Sequence, residues 1–267
     1  MKRKGTYKPT IEDIIEISGI ETLHPGGMAL TRRTAELASL SPGMKVLDVS
    51  SGRGTQSIFY AQEFGVHVTG VDISEEMVKS AMYNAKSEKA ESLIDFKIGD
   101  SQELPFEDNF FDVVINECAV GIPDDSQKVL NEMVRATKKG GSIIIHESTW
   151  RKELSDKEKE EISERYGTTP LEYEEWISML KKASVDEIIT EFDKWSKPEM
   201  FWNIRKDRDI EDFSKIYTRS ELANLMKSIS QKYGQDGLNV ALENQGKFTK
   251  VVLEGKLGYC LFKGIKK

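Results

Sequence analysis

The chain has 267 residues, enough for one complete α/β domain with an insertion and too few for two large domains. Charged residues make up 31% of it and the formal net charge is −7, which argues against a dedicated polyanion binder, so nucleic acid is not expected as a partner. No apolar run approaches membrane-span length, the basic start Met1-Lys2-Arg3-Lys4 leads into no apolar segment, and Cys118 and Cys260 show no zinc-type spacing; a protein of the reducing cytoplasm, away from membranes, is expected.

In chain order, Met28 to Leu40 carries apolar residues at helical spacing and is stopped by Ser41-Pro42-Gly43, after which Lys45 to Val49 reads as a buried strand. A glycine-containing turn, a helix over Thr55 to Phe64 and a strand over Val66 to Val71 follow, then a helix capped by Ser74. Strands over Leu93 to Ile98 and Asp112 to Asn116, a helix from about Asp125 to Lys138 and a strand over Ser142 to His146 extend the alternation. Such an order predicts a doubly wound, parallel sheet.

From Trp150 to roughly Asp209 the sequence is charged, helical in period and rich in aromatics, with no convincing strand. It reads as an inserted helical lid, with helix starts marked by the capping-box spacings Ser155 with Glu158 and Thr169-Pro170 with Glu172. Thr218 with Glu221 repeats that spacing. Asn239 to Glu243 and Tyr259 to Phe262 are strand candidates that would close the sheet, while Phe248 to Leu253 fits strand or helix alike.

After the first strand stands Asp48-Val49-Ser50-Ser51-Gly52-Arg53-Gly54-Thr55. The two glycines let backbone approach a ligand closely, and free amides of the next helix would face its anionic end; the alternative is a tight turn with no ligand. Asp72, ending the second strand, lies 20 residues past Gly52, the spacing at which a carboxylate grips ribose hydroxyls in Rossmann-type folds; helix capping is its other reading, a role Ser74 fills better. Gly99-Asp100-Ser101 puts a third acid at the same sheet edge, in reach of an adenine amino group. Three acids there favour a cationic ligand. A nicotinamide dinucleotide would bring a pyrophosphate that Asp48 repels, and Ser57 stands where its fingerprint needs a third glycine; S-adenosylmethionine brings an ammonium and a sulfonium.

At this point residues from Leu23 to Glu147 resemble the class I S-adenosylmethionine-dependent methyltransferases, in particular the small-molecule group related to the ubiquinone and arsenite enzymes. Val46 to Gly54 is similar to the first cofactor motif, Val71-Asp72-Ile73-Ser74 to the ribose-binding acid, and Gly99-Asp100-Ser101 to the adenine-contacting turn. Leu104-Pro105-Phe106 and Arg135 to Gly141 resemble the leads into the fourth and fifth strands. The resemblance implies a Rossmann-like, doubly wound, seven-stranded, mostly parallel sheet with a helical lid after strand five. It implies cofactor contacts from Asp48, Ser50, Gly52, Gly54 and Gln56, from Asp72, Ile73, Asp100 and Ser101, and from Glu117. His24 and the Gly26-Gly27 pair resemble a segment that folds over the cofactor's methionine end, although Pro25-Gly26-Gly27 also suits a plain bend. The family usually has glycine at the position of Ser50; a serine fits if its backbone keeps a negative φ.

Methyl transfer from a sulfonium is an in-line displacement that needs alignment, exclusion of water and, for a protonated acceptor, removal of a proton; no metal is obligatory. Glu117 and His146 are the candidate catalytic residues, against the reading that they contact cofactor or core alone. Glu147, Trp150, Trp195, Phe201 and Trp202 are candidates to line the acceptor pocket, whereas Trp176, Ile177, Leu180 and Ala183 read as lid core. The chain lacks the partnered cysteines of arsenite chemistry and the Asn/Asp-Pro-Pro-aromatic turn of base amino-methylation, since Asn116-Glu117-Cys118-Ala119 stands there. Four segments are expected: a helical cofactor cover (1–40), the cofactor-binding core (41–149), the lid (150–216), and a closing helix with strands (217–267). The expected activity is methyl transfer to a small acceptor, yielding S-adenosylhomocysteine; a nicotinamide-dependent oxidoreductase and a non-catalytic cofactor-binding scaffold are the alternatives.

Overall fold

Val46, Leu47, Asp48 and Val49 are all buried in β1 (Lys45–Val49), as an interior strand requires. In the computed structural model, which describes residues 8–20, 24–205, 210 and 213–267, β1 pairs in parallel with β2 (His67–Asp72) on one side and β4 (Phe111–Glu117) on the other. β3 (Ile94–Ile98) extends the sheet beyond β2 and β5 (Thr137–Trp150) beyond β4, both in parallel. β7 (Leu257–Lys266) then runs antiparallel to β5 and to β6 (Val185–Glu191), giving seven strands in the order β3-β2-β1-β4-β5-β7-β6. The order reverses between β1 and β4, where doubly wound sheets open a crevice at the carboxyl ends of their strands.

Local chemistry sets the helices that cross the sheet. α3 (Thr55–Phe64) is bounded by Gly54 and Gly65, both left-handed, while α4 (Glu75–Ser87) begins where the Ser74 hydroxyl accepts from the Met77 amide. α5 (Ser126–Ala136) is capped by Asp125 and buries Val129, Leu130, Met133 and Val134. One apolar cluster on the sheet includes residues of α1 (Ile11–Ser18), α2 (Gly27–Ala38) and α3. The same cluster takes in Tyr166 of α6 (Asp156–Tyr166), Phe201 and Trp202 of α8 (Pro198–Trp202), and Leu225, Ile229, Leu238 and Ala241 of α9 (Arg219–Leu253). A second cluster joins α5 to α7 (Tyr173–Lys182). Among the described residues no helix is long and apolar enough to cross a membrane.

Four expectations are corrected. The segment read as wholly helical contains β6, an edge strand that among the described residues pairs only with β7; positive φ at Ser184 and Glu187 and a register shift between Asp186 and Ile189 break its alternation. Asn239 to Glu243 is not a strand but part of α9, and Phe248 to Leu253 continues that helix. α7 starts at Glu172, which shares a capping box with Glu175, rather than at Thr169. Trp176, Leu180 and Ala183 pack with α5 in the second sheet cluster instead of forming a separate lid core, and the Trp176 indole donates to Ser148 O at 3.3 Å. The boxes at Ser155 and Thr218 form as read.

Candidate active site

The carboxyl ends of β1, β2 and β3 carry the three acids. Asp48 is buried and accepts the Ser57 hydroxyl at 2.5 Å; burial raises its carboxyl to about 8 against that hydrogen bond, with Glu117 and Asp72 adding repulsion. Asp72 is half-buried, and its Oδ2 accepts the Gly52 amide at 2.9 Å while Oδ1 accepts the Ser74 amide at 2.9 Å. One carboxylate therefore ties the β1 turn to the β2 turn. Asp100 Oδ1 accepts the Gln102 amide at 2.8 Å, Ser101 is close to buried, Gln56 is half-buried in the first turn of α3, and Ile73 stands 71% exposed on the rim.

Backbone conformation explains the glycines of this edge. Gly54 sits at φ +76, and a Cβ there would lie 2.6 Å from the Phe96 ring. Ser50 departs from the expectation: its φ is +61, the left-handed region in which glycine is at ease and serine is strained. The Gly26-Gly27 pair is structural as well as local, since the Gly26 amide donates to Met200 O at 2.6 Å and a Cβ on Gly27 would meet Asn203 O at 2.3 Å. The bend that carries His24 is thereby fixed to α8.

At the ends of β4 and β5 three residues far apart in sequence converge. His24 Nε2 lies 2.7 Å and His146 Nε2 3.2 Å from Glu117 Oε2, with the two imidazole centroids 4.6 Å apart. Tyr60 donates to Glu117 Oε1, and the Thr31 hydroxyl lies 2.9 Å from Oε2. Burial pushes the Glu117 carboxyl up, but the charge and hydrogen bonds of the imidazoles outweigh it and hold the group below the ordinary carboxylate range. Burial lowers His146 to about 4, against the pull of Glu117, so its ring is neutral near pH 7. The sequence marked His24, Glu117 and His146 separately but not their meeting. Thr31, Tyr60 and Tyr259 were missed altogether; each is a hydroxyl on an otherwise apolar buried surface, the one signal available for them.

The expected pocket residues divide. Phe201 and Trp202 join His24, Tyr166 and Phe248 around a cavity of about 40 Å³. Glu147 follows His146 on the strand and so faces the other way. It is buried, accepts the Val120 amide at 2.6 Å, and is raised by burial to about 7. Trp150 borders a separate polar cleft with Gly121, Lys159 and Thr168. Trp195 lines neither cavity; buried, it donates to Glu191 Oε2 at 3.0 Å.

Residues 40–203, more than half of the chain, match the family model described as a methyltransferase domain. Among curated relatives, the chain is 36% identical over 110 residues to an arsenite methyltransferase of Halobacterium salinarum, covering 40% of this chain and 28% of that protein. It is 26% identical over 200 residues to phosphoethanolamine N-methyltransferase 1 of Arabidopsis thaliana, covering 71% and 40%. The chain thus spans less than half the length of either. Among solved structures, the Haemonchus contortus phosphoethanolamine N-methyltransferase 2 complex with phosphomonomethylethanolamine and S-adenosylhomocysteine superposes with TM-score 0.70 at 23% identity, over 98% of this chain and 59% of that one. The [4+2]-cyclase SpnF superposes with TM-score 0.74 at 20% identity over 97% of each chain, so the architecture alone does not assign the reaction. With its glycine turn, the acid that ends β2 and the matched span taken together, the chain belongs to the methyltransferase-domain family.

Proposed function

We propose that the chain transfers the methyl group of S-adenosylmethionine to a small-molecule acceptor and releases S-adenosylhomocysteine. The observation that carries this reading is the Asp72 carboxylate bonded to the Gly52 amide, which holds a hydroxyl-accepting group beside a turn that backbone can approach. Asp100 and Ser101 would contact adenine, Ile73 would cover its face, and Gly52, Gly54, Ser50 and Gln56 would line the amino-acid end. Asp48, held neutral by burial, gains from a cationic ligand, which makes its ionised form affordable.

The buried grouping of His24, Glu117 and His146 supports a reading in which Glu117 and His146 touch the acceptor and govern its proton. Phe201 and Trp202 wall the acceptor cavity, and α6, α8 and the later turns of α9, through Gln245 and Phe248, cover it, while Trp150, Trp195 and Glu147 lie away from it. The functional division is then a cover (1–40), a cofactor core (41–149), an acceptor-side segment (150–216) that also lends β6 to the sheet, and a closing unit (217–267). A cytoplasmic setting suits Cys118 and Cys260, which form no disulfide, and the negative charge does not suit nucleic acid.

Calorimetric titration with S-adenosylhomocysteine and with NAD tests the cofactor. Micromolar S-adenosylhomocysteine binding, about −8 kcal/mol, that Asp72→Ala abolishes is the expected result. Binding of NAD alone, or of neither ligand, refutes the reading.

A further inference from the structure

The His24–Glu117–His146 cluster gathers three possible metal-ligand atoms in one buried place. His24 Nδ1 lies 2.9 Å from Pro25 O, which can only accept, so Nδ1 carries a proton. The Tyr259 hydroxyl donates to His146 O at 3.1 Å and therefore accepts from His146 Nδ1 at 2.7 Å. With Nδ1 of each ring engaged in this way, both Nε2 atoms point at the Glu117 carboxylate, 2.7 and 3.2 Å from the same oxygen. A single hydroxyl, that of Thr31, reaches both Glu117 Oε2 and His24 Nε2, at 2.9 and 3.2 Å, and it has one proton to give. His146 Nε2, fully buried, has no hydrogen-bond partner. A buried ring nitrogen without a partner is costly, and a metal ion shared with the two neighbouring ligand atoms would satisfy it.

We propose that His24 Nε2, Glu117 Oε2 and His146 Nε2 bind a divalent first-row metal ion, zinc by ligand type. The three atoms lie within 4.8 Å of one another. Ligands about 2.0–2.2 Å from a tetrahedral ion stand roughly 3.4 Å apart, so small movements of two imidazoles complete the site. Two histidines and a glutamate form a catalytic zinc set, one that leaves a fourth position open. The outer partners already present, Pro25 O on His24, Tyr259 on His146 and Tyr60 on Glu117, are those that fix ring and carboxylate orientation around a metal.

This goes beyond the expectation that no metal is obligatory, and it deepens the methyltransferase reading, on which it rests. His24 also lines the cavity of Tyr166, Phe201 and Trp202, from which an acceptor would reach the ion through an ionisable O–H or S–H group. Coordination releases that proton to solvent. The oxygen or sulfur lone pair then displaces the sulfonium; the S–CH3 bond breaks as the O–CH3 or S–CH3 bond forms, leaving a neutral thioether and a neutral methylated product that leaves the ion. Glu117 and His146 would then serve as ligands rather than as bases, and an ammonium acceptor would be excluded.

The test uses the full chain stripped by chelator and titrated with Co²⁺, then Zn²⁺. One Co²⁺ per chain is expected, with the visible absorption of a four-coordinate site, displaced by Zn²⁺. His24→Ala and Glu117→Gln should each weaken binding at least about 100-fold and Tyr259→Phe about 10–100-fold, while alanine at the exposed third histidine, His67, changes nothing. The proposal falls if the unsubstituted chain binds no stoichiometric ion, a result independent of whether any variant folds. It falls equally if the ion is indifferent to His24→Ala, or if imidazole ¹⁵N shifts of the stripped chain persist unchanged on adding Zn²⁺. S-adenosylhomocysteine binding by the stripped chain tests the methyltransferase reading separately.

Discussion

Asp48 makes the cofactor-free fold sensitive to pH across the physiological range. Its folded carboxyl titrates at about 8 against an ordinary 3.8, chiefly because it is buried. Below the lower value both folded and unfolded chains hold the proton. Between the two values the unfolded chain loses it and the folded chain does not, so stability falls as pH rises, by up to about 1.4 kcal/mol per unit. From pH 5.5 to 7.5 that amounts to about 3 kcal/mol. An unfolding entropy of about 2.1 cal/mol/K per residue over 267 residues is about 0.56 kcal/mol/K, so Tm drops about 5 °C. In an Asp48→Asn variant the amide oxygen still accepts from Ser57 but nothing titrates. Thermal unfolding of both chains by circular dichroism at pH 5.5, 6.5 and 7.5, without cofactor, should show the unsubstituted chain losing about 5 °C more than the variant. Glu147 titrates upward in the same sense in both chains and cancels in the difference. Parallel curves would refute the reasoning. A cationic cofactor should also drive a proton off Asp48, so calorimetry near pH 7 in two buffers of unequal ionisation heat should return unequal enthalpies.

Ser50→Gly should raise stability by about 1 kcal/mol in urea unfolding by relieving a left-handed serine, with S-adenosylhomocysteine affinity unchanged or improved; a loss of stability would mean that the hydroxyl matters more than the strain. Gly70→Ala should cost about 1–3 kcal/mol in the same assay, because the added Cβ falls 2.5 Å from Phe96 and 2.8 Å from Ser51 Oγ. Tyr60→Phe removes a hydrogen bond from the buried Glu117 carboxylate, and a destabilisation of about 1–3 kcal/mol is expected; a change within experimental error would show that Thr31 and the imidazoles suffice.

The interior of the sheet was legible where its residues are uniformly apolar and its ends are punctuated. β1 and α3 fall on the residues read for them, because Pro42-Gly43 and Gly65 stop the neighbouring helices and Val46, Leu47 and Val49 have no polar competitor except Asp48. β6 was hidden because Val-Asp-Glu-Ile-Ile-Thr-Glu is neither a continuous apolar run nor an alternation; the bulge that resolves it exists only in three dimensions. The strand read into α9 reflects Val240-Ala241-Leu242 lying among glycines, which sequence treats as breakers. Only Gly234, at φ +73, interrupts the helix. For the site, the three acids could be placed from spacing because each ends a recognisable strand. The cluster of His24, Glu117 and His146 could not, since its contacts span 93 and 29 positions and depend on how the bend at Gly26-Gly27 docks on α8.

The position of β7 gives the sheet an order of assembly. β6 is made before β7 yet touches the sheet only through it, so after Glu191 leaves the ribosome that strand has no hydrogen-bonding partner until residues 257–266 arrive and slide between it and β5. Tyr259, the group that holds the His146 ring, arrives on the same strand. A nascent chain can therefore pair β1, β2 and β3 long before β7 orients the His146 imidazole at the same edge of the sheet. The hydrogen bond that orients His146 is thus completed only once β7 closes the sheet, after every other strand has been made.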